Sequence, residues 1–232
     1  MGPSHQPRLG AVSRTHAPTM PEALLAKARA AKGFMPEDEG DLLHRVALDR
    51  LRHGPALEVG SYCGKSAIYL GAAARATGGT VFTVDHHRGS EENQVGWEYH
   101  DPELADPAFG RLDTLPTFRR TIADAGLEDH VVAVIGRSTT VSAHWRTPLS
   151  LLFVDGGHTD EHAGNDFTGF GRWVAHGGTL AVHDVFADPA EGGQAPYRVY
   201  LRALDHGFEG VESLGSMRVL RRVEGDAGDP VG

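Results

Sequence analysis

Acidic and histidine side chains follow two apolar segments in the second half of the chain. The segment 149–154 is followed by Asp155-Gly-Gly-His158, and the segment 178–183 ends in His183, directly before Asp184. Both segments have the length and composition of buried strands, so these side chains are expected at strand ends. Two neighbouring carboxylates at such a point need a cation, a proton or hydrogen bonds. The sequence therefore predicts a charged site here.

A glycine-containing turn with another acidic residue lies earlier in the chain. The stretch EVGSYCGKS, from Glu58 to Ser66, ends like a phosphate-binding P-loop, but Gly60 stands one residue too close to Gly64 for that motif. A dinucleotide-binding turn fails as well, because Tyr62 occupies the second glycine position and would keep a pyrophosphate from the backbone. What remains is an acidic residue at the end of a strand, followed by two spaced glycines.

Alternating apolar patterns predict the elements that hold these residues. Strands are predicted at 56–60, 80–84, 131–135, 149–154 and 178–183, and helices at 64–76, about 112–125, 139–145, 160–174 and 196–206. This alternation with short joints is typical of a parallel sheet covered on both faces. Residues 208–223 indicate two further strands around Gly215. The prediction is an α/β fold with a Rossmann-like, doubly wound, seven-stranded sheet, mostly parallel with one antiparallel strand from a C-terminal hairpin.

The remaining segments divide the chain by composition and spacing. Residues 1–18 lack an apolar period and are predicted to form a mobile arm, followed by two helices within 19–54. The main domain is expected to span 55–224, with a tail at 225–232. Within it, residues 86–111 are too long for a simple joint and predict a lid.

Composition excludes several partners. The chain has 232 residues, with 22 basic and 31 acidic residues and a net charge of −9, and its basic residues are not clustered, so nucleic acid is not expected to bind. The single cysteine, Cys63, excludes an internal disulfide framework and is expected to be a packing residue. No apolar run has membrane-spanning length and the start of the chain does not resemble a secretion signal, so a cytoplasmic protein without a membrane partner is expected.

The glycine turn resembles the cofactor loop of class I S-adenosylmethionine (SAM) methyltransferases, whose pattern is Glu/Asp-x-Gly-x-x-x-Gly. SAM carries a sulfonium and an amine, so an acidic residue near the turn helps its binding. Asp85, at the end of the next strand, suits the two ribose hydroxyls, and Ile135-Gly-Arg-Ser138 resembles the adenine-side loop. The resemblance implies these cofactor-binding residues: Glu58, Gly60, Ser61, Gly64, Ser66, Asp85, Gly136, Ser138 and Asp155.

The spacing Asp155-Gly-Gly-His158 resembles that of metal-dependent O-methyltransferases, both those that act on other small molecules and those that act on sugars. This resemblance implies that Asp155 binds Mg²⁺ and that His158 takes the proton of the substrate hydroxyl. Asp184 and His183 are the other candidate metal ligands, although many sugar methyltransferases have two acids where this chain has His183-Asp184. Because Mg²⁺ prefers oxygen, a structural role for the His183 imidazole stays open.

Among such enzymes, the chain looks most like bacterial sugar O-methyltransferases of the macrocin and mycinamicin type, and like methyltransferases of mycobacterial methylmannose polysaccharide synthesis. This resemblance implies that the acceptor is a hydroxyl group of a sugar or oligosaccharide. It also implies a homodimer. Candidate acceptor-binding residues are Trp97, Tyr99, His100 and His144. Two alternatives remain, namely a metal-dependent hydrolase on the same sheet and a non-catalytic SAM-binding subunit.

Overall fold

The computed structural model describes residues 19–90, 93 and 100–231. In chain order the strands are β1 (Ala56–Val59), β2 (Val81–Asp85), β3 (Ala105–Asp106), β4 (Arg111–Leu112), β5 (Val131–Ile135), β6 (Leu149–Val154), β7 (Val174–Val182), β8 (Phe208–Leu214) and β9 (Met217–Arg222). The helices are α1 (Glu22–Ala30), α2 (Glu37–Arg50), α3 (Lys65–Thr77), α4 (Leu115–Ala125), α5 (Ser138–His144), α6 (Asp160–Gly171) and α7 (Ala195–Asp205).

The described residues form a seven-stranded sheet in the order β5-β2-β1-β6-β7-β9-β8, with β3 and β4 as a separate ribbon. The pairs β1–β2, β1–β6, β2–β5 and β6–β7 are parallel, whereas β9 is antiparallel to both β7 and β8. The predicted doubly wound sheet with its hairpin strand is therefore confirmed. The chain leaves β1 towards β2 on one side and reaches β6 on the other, and ligands of open α/β sheets bind at such a switch point.

Two boundaries differ from the prediction around residue 174. β7 begins at Val174, which pairs with Leu149, and the register shifts before Thr179 pairs with Leu151. Gly177 adopts a φ of +74° in this irregular part. The glycines at 177 and 178, which resembled the start of a strand, therefore accommodate a bulge inside a longer one. α6 correspondingly ends at residue 171 and not at 174.

The helices cover both faces of the sheet. Apolar side chains of α1, α2, α3 and α4 form one buried cluster, and those of α6 and α7 pack in a second cluster with the other sheet face. α2 approaches α3 closely at Gly40, where a Cβ would stand 2.4 Å from the Tyr69 ring. Glycine inside a helix costs about 1 kcal/mol relative to alanine, and here it permits this contact. The packing brings the first turn of α2 to the sheet.

Some predicted segments lie outside the described residues, namely the arm 1–18 and positions 91, 92 and 94–99 of the insertion. In the predicted tail, Val231 is buried with Phe167 and Phe170 in the second cluster. Among the described residues, no helix is both long enough and apolar enough to cross a membrane.

Candidate active site

Three of the predicted residues meet at the carboxyl ends of β6 and β7. Asp155, His158 and Asp184 each offer one ligand atom, and these atoms lie within 4.8 Å of one another. The Nε2 atom of His158 is 3.1 Å from Oδ2 of Asp184. Burial would raise the pKa of Asp184, but the hydrogen bonds and charges of His158 and His183 outweigh it and hold the pKa well below its usual value. Asp184 is therefore ionised at neutral pH.

The backbone at Asp184 is itself unusual. Its φ is +55°, a left-handed conformation that costs energy for a residue other than glycine. Strain of this kind is often kept at functional sites. Only two residues, His183 and Asp184, separate the end of β7 at Val182 from Val185, whose N–H donates to the Ser216 carbonyl of the hairpin at 2.9 Å.

His183 is buried beside this cluster, with carboxylates at both ring nitrogens. Its Nδ1 lies 3.0 Å from Oδ1 of Asp155 and 3.4 Å from Oδ1 of Asp184, and its Nε2 lies 2.6 Å from Oε2 of Glu39. The Nε2 contact is an ion pair without the alignment of a regular hydrogen bond. Burial opposes a charged imidazole, but the three carboxylates outweigh it and raise the pKa of His183 well above its usual value. As an imidazolium, His183 has no lone pair for a metal, so this arrangement favours the structural role.

Glu39 is a site residue that the sequence analysis missed. It lies in the first turn of α2 with 3% of its surface exposed. Oε1 of Glu39 accepts a hydrogen bond from the Ser216 N–H at 2.7 Å, and Oε2 accepts one from the Ser216 hydroxyl at 3.1 Å. Burial would raise the pKa of Glu39, but the contacts with His183 and Ser216 outweigh it and lower the pKa. A signal was present, since Leu42 and Leu43 follow at i+3 and i+4 and place Glu39 on the buried helix face.

The glycine turn between β1 and α3 is held by Asp85. Gly60 and Gly64 adopt φ values of +88° and +92°, and Tyr62 a φ of +44°. The N–H groups of Ser61 and Tyr62 both donate to Oδ2 of Asp85 at 2.9 Å. Oδ1 of Asp85 accepts a third hydrogen bond, from the backbone N–H of His87 at 2.7 Å. Asp85 thus orders the turn directly, which the sequence did not reveal.

Glu58 lies in β1 with its side chain fully buried. Neither carboxyl oxygen has a hydrogen-bond partner of regular geometry among the described residues. Burial, with smaller contributions from Asp155 and Asp85, raises the pKa of Glu58 to about 8, although the nearby Ser66 and Ser61 hydroxyls lower it. A cation bound close by would favour the ionised form of this carboxyl group.

The predicted adenine-side loop is accompanied by a second acid that the sequence analysis missed. Gly136 follows β5 and Ser138 begins α5. Asp166, on the buried face of α6, has one carboxyl oxygen without a partner, and the other lies 2.6 Å from where a Cβ would stand at Gly156. Burial raises the pKa of Asp166 to about 6, and the Ser138 hydroxyl lowers it. The loops after β5 and β6 therefore meet at a buried carboxyl group.

Comparison with known proteins decides the family. Residues 57–185, more than half of the chain, match the family described as methyltransferase domain. The chain belongs to this methyltransferase family. The matched range contains the glycine turn, Asp85 and the Asp155–His158–Asp184 cluster. Membership favours a methyltransferase over the hydrolase alternative.

Several solved structures are similar to this methyltransferase over most of its length. Cofactor-bound Rv0187 from MTB is 19% identical, with 88% of this chain and 89% of that chain covered and a TM-score of 0.61. The O-methyltransferase TomG from Streptomyces achromogenes, involved in tomaymycin synthesis and in complex with SAM, is 19% identical, with 88% and 91% covered and a TM-score of 0.59. An O-methyltransferase from Bacillus cereus in complex with S-adenosylhomocysteine (SAH) is 18% identical, with 88% and 89% covered and a TM-score of 0.58. At these identities the likeness shows a shared fold.

The predicted acceptor-binding residues of the methyltransferase are not all near the cluster. α5 starts after β5 at the carboxyl edge of the sheet and ends at His144, five residues before β6 starts at the opposite edge. The structure therefore does not bring His144 to Asp155. His100 contacts the Asn93 carbonyl through Nδ1 at 3.1 Å, whereas Trp97 and Tyr99 lie outside the described residues. Cys63 is buried, and burial raises the pKa of its thiol to about 12, as expected for a packing residue.

A cavity of about 490 Å³ lies beside the cluster of the methyltransferase. Its wall includes His183 and Asp184 on the β7 side, and its other lining residues include Phe34, Phe186, Glu191 and Arg218. The guanidinium of Arg218 donates to the carbonyl oxygens of Gly215, Met217 and Val185. The cavity therefore combines aromatic rings with charged groups next to the predicted catalytic residues.

Proposed function

We propose that this protein is a SAM-dependent O-methyltransferase that transfers a methyl group to a hydroxyl of a small molecule, with help from a divalent cation such as Mg²⁺. The observation that carries the proposal is the contact between the glycine turn and the acidic loop. A Cβ at Gly60 would stand 2.1 Å from the Asp155 carbonyl oxygen. A ligand on the glycine turn would therefore lie next to Asp155 and its partners.

The acidic side chains around the turn support SAM as the ligand. Glu58, Asp85 and Asp155 surround it with carboxyl groups, which suits a cofactor with a sulfonium and an ammonium group better than one with phosphates. The similar structures from Streptomyces achromogenes and Bacillus cereus hold SAM and SAH, respectively. SAM would supply a methyl group on a positively charged sulfur.

The donor set at the cluster fits a divalent cation. Asp155 and Asp184 provide the carboxylate oxygens that Mg²⁺ prefers, and their ligand atoms lie within 4.8 Å of each other, close enough to share one ion. These two residues would hold the cation, which would orient the acceptor hydroxyl and make it more acidic. Most of the gain in rate is expected from alignment of the attacking oxygen, the methyl carbon and the leaving sulfur.

His158 is proposed as the general base. In the proposed transfer, the acceptor oxygen would bond to the methyl carbon as the carbon–sulfur bond breaks, and His158 would take the hydroxyl proton. SAM would supply the methyl group, and its sulfur would keep the electron pair of the broken bond and become the neutral sulfur of SAH. Asp184, with Oδ2 at 3.1 Å from Nε2 of His158, would stabilise the imidazolium that results.

We propose a sugar hydroxyl as the acceptor and a homodimer as the assembly, following the resemblance to sugar O-methyltransferases. The cavity beside Asp184 supports the sugar, because Phe34 and Phe186 offer aromatic faces while Glu191 and Arg218 offer hydrogen-bonding groups. Aromatic rings suit the C–H faces of a sugar, and charged groups suit its hydroxyls.

The test begins with calorimetric titration of the purified protein with SAH, with and without Mg²⁺, and with ATP·Mg²⁺ as a competitor. Binding of SAH is expected, and binding of ATP alone would refute the cofactor assignment. Radiolabelled methyl transfer from SAM to a panel of glycosides then identifies the acceptor.

Variants test the roles of the cluster. His158→Ala should reduce turnover about 10²- to 10⁴-fold, as expected for loss of a general base, while SAH affinity is retained. The control is His162→Ala, which removes an exposed histidine from the same region. Asp155→Asn should abolish the response to Mg²⁺. Full turnover in His158→Ala, or an unchanged Mg²⁺ response in Asp155→Asn, would contradict the assignment.

A further inference from the structure

We propose that Glu39 is a positioning residue for the cation site. Glu39 acts through His183, which in turn fixes the Asp155 carboxylate. The inference rests on the proposed cation site. It assigns a role in that site to α2, which lies outside the matched methyltransferase range of 57–185.

The contacts form a continuous path from α2 to the cleft. Oε2 of Glu39 lies 2.6 Å from Nε2 of His183, and Nδ1 of His183 lies 3.0 Å from Oδ1 of Asp155. The side chains of Glu39 and His183 are each 4% exposed, whereas that of Asp155 is 22% exposed. Only the last member of the path therefore reaches solvent to any extent. Because Oδ1 of Asp155 is held by the imidazole, Oδ2 is the oxygen left for a ligand.

Glu39 is itself fixed from the opposite side by the β8–β9 turn. The Ser216 N–H donates to Oε1 at 2.7 Å. At Gly215, whose φ is +50°, a Cβ would stand 2.1 Å from the same oxygen. The carboxylate is thus confined between the turn and the imidazole, and this confinement limits where His183 can lie.

The charges give the expected direction of the effect. His183 lies between Glu39 on one side and Asp155 and Asp184 on the other. If the charge of Glu39 is removed, the ring is left to interact with the two proposed ligands alone. The ring is then no longer fixed at Nε2, and the Asp155 carboxylate that it contacts through Nδ1 is positioned less precisely. Loss of a group that orients a metal ligand typically costs about 10- to 100-fold in metal affinity.

The test compares Glu39→Gln with Asp41→Asn, which neutralises an exposed acid on the same helix. Mn²⁺ binding is measured by the electron paramagnetic resonance signal of free Mn²⁺, and SAH binding by calorimetry. Glu39→Gln should raise the Mn²⁺ dissociation constant about tenfold or more and leave SAH affinity near the wild-type value. Asp41→Asn should change Mn²⁺ affinity by less than about threefold, because solvent and salt screen its charge.

A second pair of variants displaces Glu39 without changing any charge. Gly215→Ala places a methyl group against Oε1 of Glu39, whereas Gly126→Ala introduces alanine at a φ of +65° with no atom within 4 Å of the new Cβ. Gly215→Ala should weaken Mn²⁺ binding while Gly126→Ala should not. This pair decides the question if Glu39→Gln does not fold.

The outcomes separate the two proposals. If wild type binds Mn²⁺ and Asp155→Asn does not, the cation site stands, and unchanged Mn²⁺ affinity in folded Glu39→Gln or Gly215→Ala overturns the role of Glu39. If wild type and Asp155→Asn bind Mn²⁺ equally, or neither binds it, the cation site is overturned and the role of Glu39 with it.

Discussion

Gly60 lies against the backbone carbonyl of Asp155, so the glycine turn and the acidic loop share one contact. A Cβ at residue 60 would stand 2.1 Å from this oxygen and 2.8 Å from the Cα of Gly156. The two loops continue neighbouring strands, since Val59 pairs with Val154 and the Asp155 N–H bonds to the Val59 carbonyl at 2.9 Å. The distance between the proposed cofactor and the proposed base is therefore set by one pair of strands.

Substitution of Gly60 should disrupt both loops. Gly60→Ala combines the clash with Asp155 and a φ of +88°, and backbone strain of this kind costs about 1–3 kcal/mol before the clash is counted. We expect urea unfolding to show a free energy of unfolding lower by at least this amount, and calorimetry to show loss of SAH binding. Gly78→Ala is the control, because its φ is +72° and nothing lies within 4 Å of the new Cβ. Equal stability of the two variants would contradict the contact.

Asp85→Asn should loosen the glycine turn. The carboxylate accepts two N–H bonds at Oδ2 and one at Oδ1, and an amide would direct its NH₂ group at one of these donors. We expect about 1–3 kcal/mol lower stability, the usual cost of an unsatisfied buried group, and weaker SAH binding. Urea unfolding and calorimetry measure the two effects. If only SAH binding falls, Asp85 acts on the ligand and not on the turn, and if neither changes, both roles are wrong.

Glu58 should make stability depend on pH. Burial raises its pKa from 4.5 to about 8, so the folded protein holds a proton that the unfolded chain has released. The stabilisation that protonated Glu58 adds to the free energy of unfolding is therefore complete below pH 4.5, falls as the pH rises, and is lost above about 8. Glu58→Gln should be more stable than wild type at pH 8.5, and the difference should shrink towards pH 5. Urea unfolding across this range measures the difference, and a difference independent of pH would contradict a buried, protonated Glu58.

Lys32 should restrain the predicted lid. Its ammonium group contacts the carboxylates of Asp101 and, at 3.1 Å, Glu103, and hydrogen bonds to these two groups raise the pKa of Lys32. The contacts join the connection between α1 and α2 to the insertion 86–111. Because exposed ion pairs contribute about 0–1 kcal/mol, Lys32→Ala should leave the melting temperature nearly unchanged but speed cleavage of the insertion by thermolysin.

The control for the Lys32 contacts is Lys27→Ala, which removes a lysine that donates to the Asp124 carbonyl and does not contact the insertion. High salt should bring the cleavage rate of wild type towards that of Lys32→Ala, because it screens exposed pairs. Equal cleavage rates for all three proteins at low salt would show that Lys32 does not restrain the lid.

The sheet and the meeting of Asp155 with Asp184 were predictable because both follow from local pattern. Apolar runs separated by helices specify parallel strands, and the ends of neighbouring parallel strands converge at one edge. The start of β7 was not predictable, since the glycines at 177 and 178 lie in a bulge whose register depends on the pairing of Val174 with Leu149. The position of His144 away from the cleft follows from the same pattern, because a helix that connects two parallel strands runs back to the opposite edge of the sheet, and His144 ends such a helix.

Glu39 could not be placed from the sequence alone. Its contact with Ser216 joins residues 177 positions apart, and it depends on how closely α2 packs on α3 at Gly40. The buried side of α2 was visible in its apolar spacing, but the partner of an acid on that side was not. Asp85 was recognised as an acid at a strand end, whereas its bonds to the turn depend on the φ values of Gly60 and Tyr62.

The pairing of His183 with Glu39 also constrains how relatives of this protein can diverge. The imidazole lies inside the segment that defines the family, while its counter-charge lies before that segment. A relative with histidine at this position but a neutral residue on the second helix would leave the buried imidazolium without its partner at Nε2, and only the two cleft carboxylates would compensate its charge. The two positions are therefore expected to be inherited as a pair, and a lineage that exchanges the histidine for an acid would lose the need for an acid on the helix.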